Sequence, residues 1–94
     1  MEFILVQETV ENYGKWKTVF DEGGTTRKSA GSKGGYVLQS AEDDNQITIL
    51  LEWDTLDNAR QYTRSDDLRK AMERAGVTGQ PKVIFLVEAD RPVQ

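Results

Sequence analysis

The chain is 94 residues long, carries a formal net charge of −4, and contains neither cysteine nor histidine. The missing residues exclude disulfides, thiolate chemistry, Ser-His-Asp catalysis, the usual zinc sites and histidine-ligated haem. The acidic balance argues against nucleic acid and anionic membrane as partners, and no apolar run approaches the ~20 residues of a bilayer span.

Phe3 to Val10 is the first predicted strand. Phe3, Leu5 and Gln7 alternate with Ile4, Val6 and Glu8, so both faces begin apolar and something must pack on each. Glu11 to Ala30 reads as a helix, with Tyr13, Trp16, Val19 and Phe20 forming an apolar stripe. Asn12-Tyr13-Gly14 is a weak start, which places the regular helix near Gly14. Gly23-Gly24-Thr25-Thr26 then interrupts, because a glycine costs about 1 kcal/mol against alanine inside a helix and threonine is also a poor former. A bend or loosened turn is expected there, before a last piece carrying Arg27, Lys28 and Ala30. Gly31 is the expected C-cap.

Ser32 to Gly35 is predicted as a loop and Gly35 to Ala41 as the second strand. Glu42-Asp43-Asp44-Asn45 is a polar turn into the third strand, Gln46 to Trp53, so the two strands make a hairpin. Ile47, Ile49, Leu51 and Trp53 share one face of that strand, and Thr48, Leu50 and Glu52 share the other. Asp54 and Thr55 cap a helix on which Leu56, Ala59 and Tyr62 recur at helical spacing. Ser65-Asp66-Asp67-Leu68 caps another helix running to Ala75, with Leu68, Met72 and Ala75 inward and i,i+4 pairs Asp66–Lys70 and Arg69–Glu73 outside. Gly76 stops it. Val77 to Pro81 is predicted as a loop, Lys82 to Ala89 as the last strand, and Asp90 to Gln94 as a tail.

The order strand, helix, strand, strand, helix, strand is that of a ferredoxin-like βαββαβ sandwich. It predicts an α+β domain over residues 1–94, with a four-stranded antiparallel sheet and its helices on one face. Phe3 and Ile4, Ile49 and Leu50, and Ile84 and Phe85 nevertheless supply apolar side chains to both sheet faces. The simplest cover for the second face is another copy of the chain, hence a homodimer. The N-terminal MEFILVQE is too short for a signal peptide and lacks its basic flank, so a cytoplasmic protein is expected.

Three segments carry a resemblance over Phe3 to Glu88: the LLEWDTLDNARQY strand-to-helix turn, the SDDLRKAMERAGV helix and the closing PKVIFLVE strand. Together they resemble the antibiotic biosynthesis monooxygenase-like domains of the dimeric α+β barrel superfamily. The resemblance implies two sheets packed face to face, helices outside, and a ligand pocket between helices and sheet within each protomer. Oxygenases of that family oxidise polycyclic phenols without metal or flavin, the substrate supplying the electrons. No cofactor is therefore expected. Haem-degrading relatives depend on a histidine, which this chain lacks.

The candidate ligand-binding residues are Trp16, Phe20, Arg27, Trp53, Asn58 and Tyr62. The aromatics could line a pocket for a flat apolar molecule or could fill the core. Trp16 and Trp53 stand out because a buried indole N–H needs a partner. Arg27 could hold an anionic or enolate oxygen, or sit solvated at its helix end. Asn58 could orient a carbonyl, or serve as a capping amide. No catalytic set is assigned and no metal site is expected. Ala30 to Gly35 follows a helix and precedes a strand, the reverse of a phosphate-binding loop. Glu42 to Asn45 lacks the spacing of a calcium loop. Two functions remain open: a small-molecule pocket with cofactor-independent monooxygenase-type activity, or a non-catalytic homodimeric ligand-binding or assembly module.

Overall fold

The computed structural model describes residues 1–93, so Gln94, the end of the predicted tail, lies outside the described residues. The elements run β1 (Glu2–Val10), α1 (Tyr13–Glu22), α2 (Gly24–Ala30), β2 (Ser32–Gln39), β3 (Gln46–Trp53), α3 (Leu56–Thr63), α4 (Asp66–Ala75) and β4 (Val77–Val87). The strands form one sheet in the order β2-β3-β1-β4, with every neighbouring pair antiparallel. This is the predicted ferredoxin-like α+β fold, with the first helical segment divided at Gly23 and the second made of the two separately capped helices expected.

Strand alternation decides which residues meet the helices. Ile4 faces Leu51 on one side and Phe85 on the other, and the helix-facing layer continues through Ile47, Ile49 and Trp53. These side chains pack with Trp16 of α1, Ala59 of α3 and Ala75 of α4 in the buried core. The opposite face carries Leu5, flanked by Leu50 and Ile84, and then Tyr36 opposite Leu50 and Leu38 opposite Thr48. Tyr36, Leu38 and Leu86 on that face are exposed.

The local signals work mostly as expected. Asn12, Thr55 and Ser65 are the N-caps of α1, α3 and α4, each accepting from the backbone N–H three residues on. The first helix starts at Tyr13, one residue before Gly14, with the Asn12 side chain capping it. Gly23 is the interruption: it closes α1 and opens α2. The ion pair formed on α4 is Arg69–Asp66 at 3.0 Å, an i,i+3 contact across the first turn.

Two predicted loops are paired strand instead. Ser32 already pairs with Trp53, and the register shifts by one residue before Gly34 pairs with Glu52. Gly35 must pass so close to the Leu50 carbonyl that a Cβ would collide with it. Val77 and Thr78 pair with Val10 and Thr9, whereas Lys82 pairs with Gln7. Four residues of β4 therefore span a step that β1 makes in two, and Gly79 (φ +69°) to Pro81 bulge out. Gly and Pro mark this segment as irregular, but irregularity took the form of a bulge rather than a loop.

Candidate functional site

A cleft of about 1120 Å3 lies between the helix-facing side of the sheet and the helices. Its floor is apolar: Ile4, Val6, Ile49 and Leu51. Trp16, Val19 and Phe20 of α1 line one wall, Tyr62 of α3 another, and Leu68 and Met72 of α4 a third. The bulged residues Gly79 to Pro81 complete it along β4.

The wall on α1 is a graded stack. Phe20 lies against Trp16 with ring centroids 4.9 Å apart and planes 21° from parallel, and Tyr13 follows on the far side of Trp16 at 5.8 Å. The Arg27 guanidinium rests 3.7 Å from the Phe20 ring centroid, close enough for a cation–π contact. The Gly23 interruption lets α2 turn that side chain back over α1. Arg27 lines the cleft, half-buried, and forms no ion pair among the described residues.

Beneath the stack sits a buried carboxyl. Alternation along β1 places Glu8 on the helix-facing side with Ile4 and Val6, and it is only 7% exposed. Trp16 Nε1 donates to Glu8 Oε2 at 2.7 Å, while Oε1 has no hydrogen-bond partner among the described residues. Burial raises the Glu8 pKa above its ordinary 4.5, and the Trp16 hydrogen bond opposes that rise without cancelling it. Burial likewise raises the Tyr62 phenol above its ordinary 10, with the Arg27 charge pulling it down and the Glu8 charge adding to the rise.

Of the six predicted residues, Trp16, Phe20, Arg27 and Tyr62 line the one cleft. Trp53 stands behind it, 1% exposed, with its ring 5.2 Å from that of Tyr62; its Nε1 has no partner among the described residues. Asn58 belongs to a smaller adjoining hollow of about 450 Å3 between α2 and α3. Its Nδ2 donates to both oxygens of Asp54 at 3.0 and 3.1 Å, a local structural use of the amide. Glu8 was not singled out from the sequence. The available signal was a carboxylate on the parity of Ile4 and Val6, opposite Ile47. Among the described residues no group of carboxylates is arranged to hold a metal ion, and no helix is long and apolar enough to cross a membrane.

No family model matches the chain, and no curated protein does. Solved structures do resemble it. A provisionally assigned antibiotic biosynthesis monooxygenase from Bordetella bronchiseptica superposes with a TM-score of 0.79 at 16% identity, over 94% of this chain and 96% of that one. SnoaB, a cofactor-independent oxygenase from Streptomyces nogalater, gives 0.78 at 14% identity, over 96% and 94%. A further provisionally assigned monooxygenase, from Nitrosomonas europaea, gives 0.72 at 14%, over 94% and 98%. At these identities the likeness establishes the fold: this chain has the ferredoxin-like α+β fold of the antibiotic biosynthesis monooxygenase-like proteins across nearly its whole length.

Proposed function

We propose that the chain binds a flat aromatic small molecule in the cleft beneath α1 and oxidises it with molecular oxygen, without metal or flavin. The carrying observation is that part-buried Phe20 and Tyr62 line an open cleft at the edge of the core that holds Trp16, with Arg27 on its wall. A site of this kind needs apolar area for the ring system and few polar groups to orient it. In such a reaction the electrons come from the substrate, and the protein contributes shape and charge. Arg27 suits an electron-rich oxygen that gains negative charge as the ring is oxidised. The fold shared with SnoaB supports the same reading.

The working unit we propose is a homodimer. The apolar face carrying Leu5, Leu50 and Ile84 extends to exposed Tyr36 and Leu38, and a second copy of that face would cover it. The alternative is a non-catalytic dimeric module that holds a ligand in the same cleft.

Oxygen consumption on a panel of phenols and quinols tests the first reading. Uptake that Arg27→Ala lowers at least severalfold is expected. Tight ligand binding with no oxygen uptake would leave only the ligand-binding module, and failure to bind any aromatic would overturn both.

A further inference from the structure

We infer that the cleft takes a two-part ligand, an aromatic head beside Phe20 and Tyr62 and an unbranched alkyl arm that runs from it under α4 along Val6 and Val83. This rests on the aromatic-cleft reading above and narrows it to a substrate class, the alkyl-substituted arenes.

The first observation is a row of side chains across the sheet. Ile49, Val6 and Val83 are cross-strand neighbours on β3, β1 and β4, and all three lie on the cleft side. Ile49 is buried, Val6 is half-buried and Val83 is 37% exposed. Cover from the helices therefore runs out toward β4. The next row, Leu51, Ile4 and Phe85, is closed at that end by Arg60 of α3, whose guanidinium lies 5.3 Å from the Phe85 ring centroid. The gap is local to Val6 and Val83.

The second observation is the helix above the gap. Leu68, Ala71, Met72 and Ala75 share one face of α4 at helical spacing. Such a face ordinarily packs down onto the sheet beneath it. Here only Ala75, at the end of the helix, is buried, while Leu68, Ala71 and Met72 are half-buried and line the cleft. The helix leans chiefly on α1 instead. Its first two turns thus roof an apolar trough whose floor is Val6 and Val83.

The third observation is the division of the cleft by chemistry and size. Phe20, Arg27 and Tyr62 come from α1, α2 and α3, whereas Leu68, Ala71, Met72, Val6 and Val83 offer only hydrocarbon and one thioether. Small-molecule sites usually enclose about 300–1,000 Å3. This one, at about 1120 Å3, is larger. A flat ring system against Phe20 and Tyr62 leaves the trough unfilled. A polar arm there would give up water for side chains that cannot hydrogen-bond with it. An alkyl arm carries no such cost and removes Val83 and Met72 from water. Methionine also adapts its shape to what it packs on, which suits a flexible chain.

The test uses the full chain and a series of phenols, unsubstituted or with a straight para-ethyl, para-butyl or para-hexyl chain, with affinity measured by calorimetry. Each added methylene is expected to raise wild-type affinity about two- to fourfold, until the chain reaches the open edge of β4. Val83→Trp fills the trough with an indole and should flatten the series. Met72→Gln keeps the length and helix propensity of the side chain but roofs the trough with an amide, and it should shrink the gain per methylene. This second variant carries the test if Val83→Trp fails to fold. Non-specific partitioning is indifferent to either residue, so a series as steep in both variants as in wild type would overturn the inference. A wild-type series that binds but does not rise with chain length would overturn it too, leaving the aromatic cleft intact. If Val83→Trp then also changes the sedimentation of the protein, the trough belongs to a contact with a second copy. Failure of every member to bind would remove the cleft reading and this inference with it.

Discussion

The indole Nε1 of Trp16 donates to Glu8 Oε2 at 2.7 Å across the buried layer between α1 and β1. The two residues are eight apart in sequence and lie on consecutive elements. Their bond fixes the rotation of α1 over the sheet, and with it the stack that runs from Tyr13 through Trp16 and Phe20 to Arg27. A hydrogen bond from a neutral donor to a buried carboxyl is thus a packing element as well as a polar one.

Trp16→Phe keeps a ring against Phe20 but leaves the carboxyl without its donor. Stranding a buried polar group costs about 1–3 kcal/mol, so the variant should be less stable by that amount and unfold at a lower denaturant concentration. Urea titration of both proteins reads the difference. A variant as stable as wild type would show that the bond contributes nothing net.

The pH dependence of stability follows from Glu8. Burial raises its folded-state pKa above the 4.5 expected of the open chain. The folded protein then holds the proton more tightly than the unfolded one. Its contribution is fully present below the unfolded value and is lost as pH rises through the folded value. Glu8→Gln removes the titration. Melting temperatures of wild type and variant, measured from pH 4 to pH 8, should therefore diverge in the variant's favour as pH rises. A constant difference across that range would contradict the raised pKa.

Leu38→Asp addresses the outer sheet face. Leu38 is 51% exposed in the single chain, so the change should move monomer stability by no more than about 0.5 kcal/mol. Placed within an apolar interface, the same carboxylate would be buried without a partner. Wild type should sediment as a dimer and Leu38→Asp as a monomer. Monomeric wild type at micromolar concentration would remove the proposed interface.

Gly35→Ala tests the pairing of the β2 edge. Its Cβ would meet the Leu50 carbonyl oxygen, which is backbone and cannot rotate away. The strands must part locally, at a cost of roughly 1–3 kcal/mol. Loss of amide-exchange protection confined to β2 and its contacts with β3 is the expected signature. Unchanged protection would mean the ladder accommodates a side chain there.

Much of the fold was legible because its signals are local. Period-two alternation in Gln46–Trp53 sorts the buried Ile47, Ile49, Leu51 and Trp53 from their neighbours, and Thr55 and Ser65 announce helix starts within three residues of their partners. The strand pairing of Ser32 and of Val77 was not legible, since it is decided by the partner strand rather than by composition. The site divides in the same way. Helical spacing groups Trp16 with Phe20, but only the tertiary arrangement shows Arg27 over Phe20, Asn58 occupied by Asp54, and Trp53 behind Tyr62. Glu8 escaped notice because parity tells which way a side chain points, not whether the space it points into is open.

The bulge in β4 has a further consequence at the margin of the sheet. β4 is an outer strand, bonded to β1 alone, and a straight outer strand is a template on which another chain can polymerise. Gly79 to Pro81 break that template after its first two residues, Pro81 offers no N–H, and Lys82 adds a charge just after it. Growth of the sheet sideways into fibrils is thereby discouraged. The apolar broad face, by contrast, carries no such interruption.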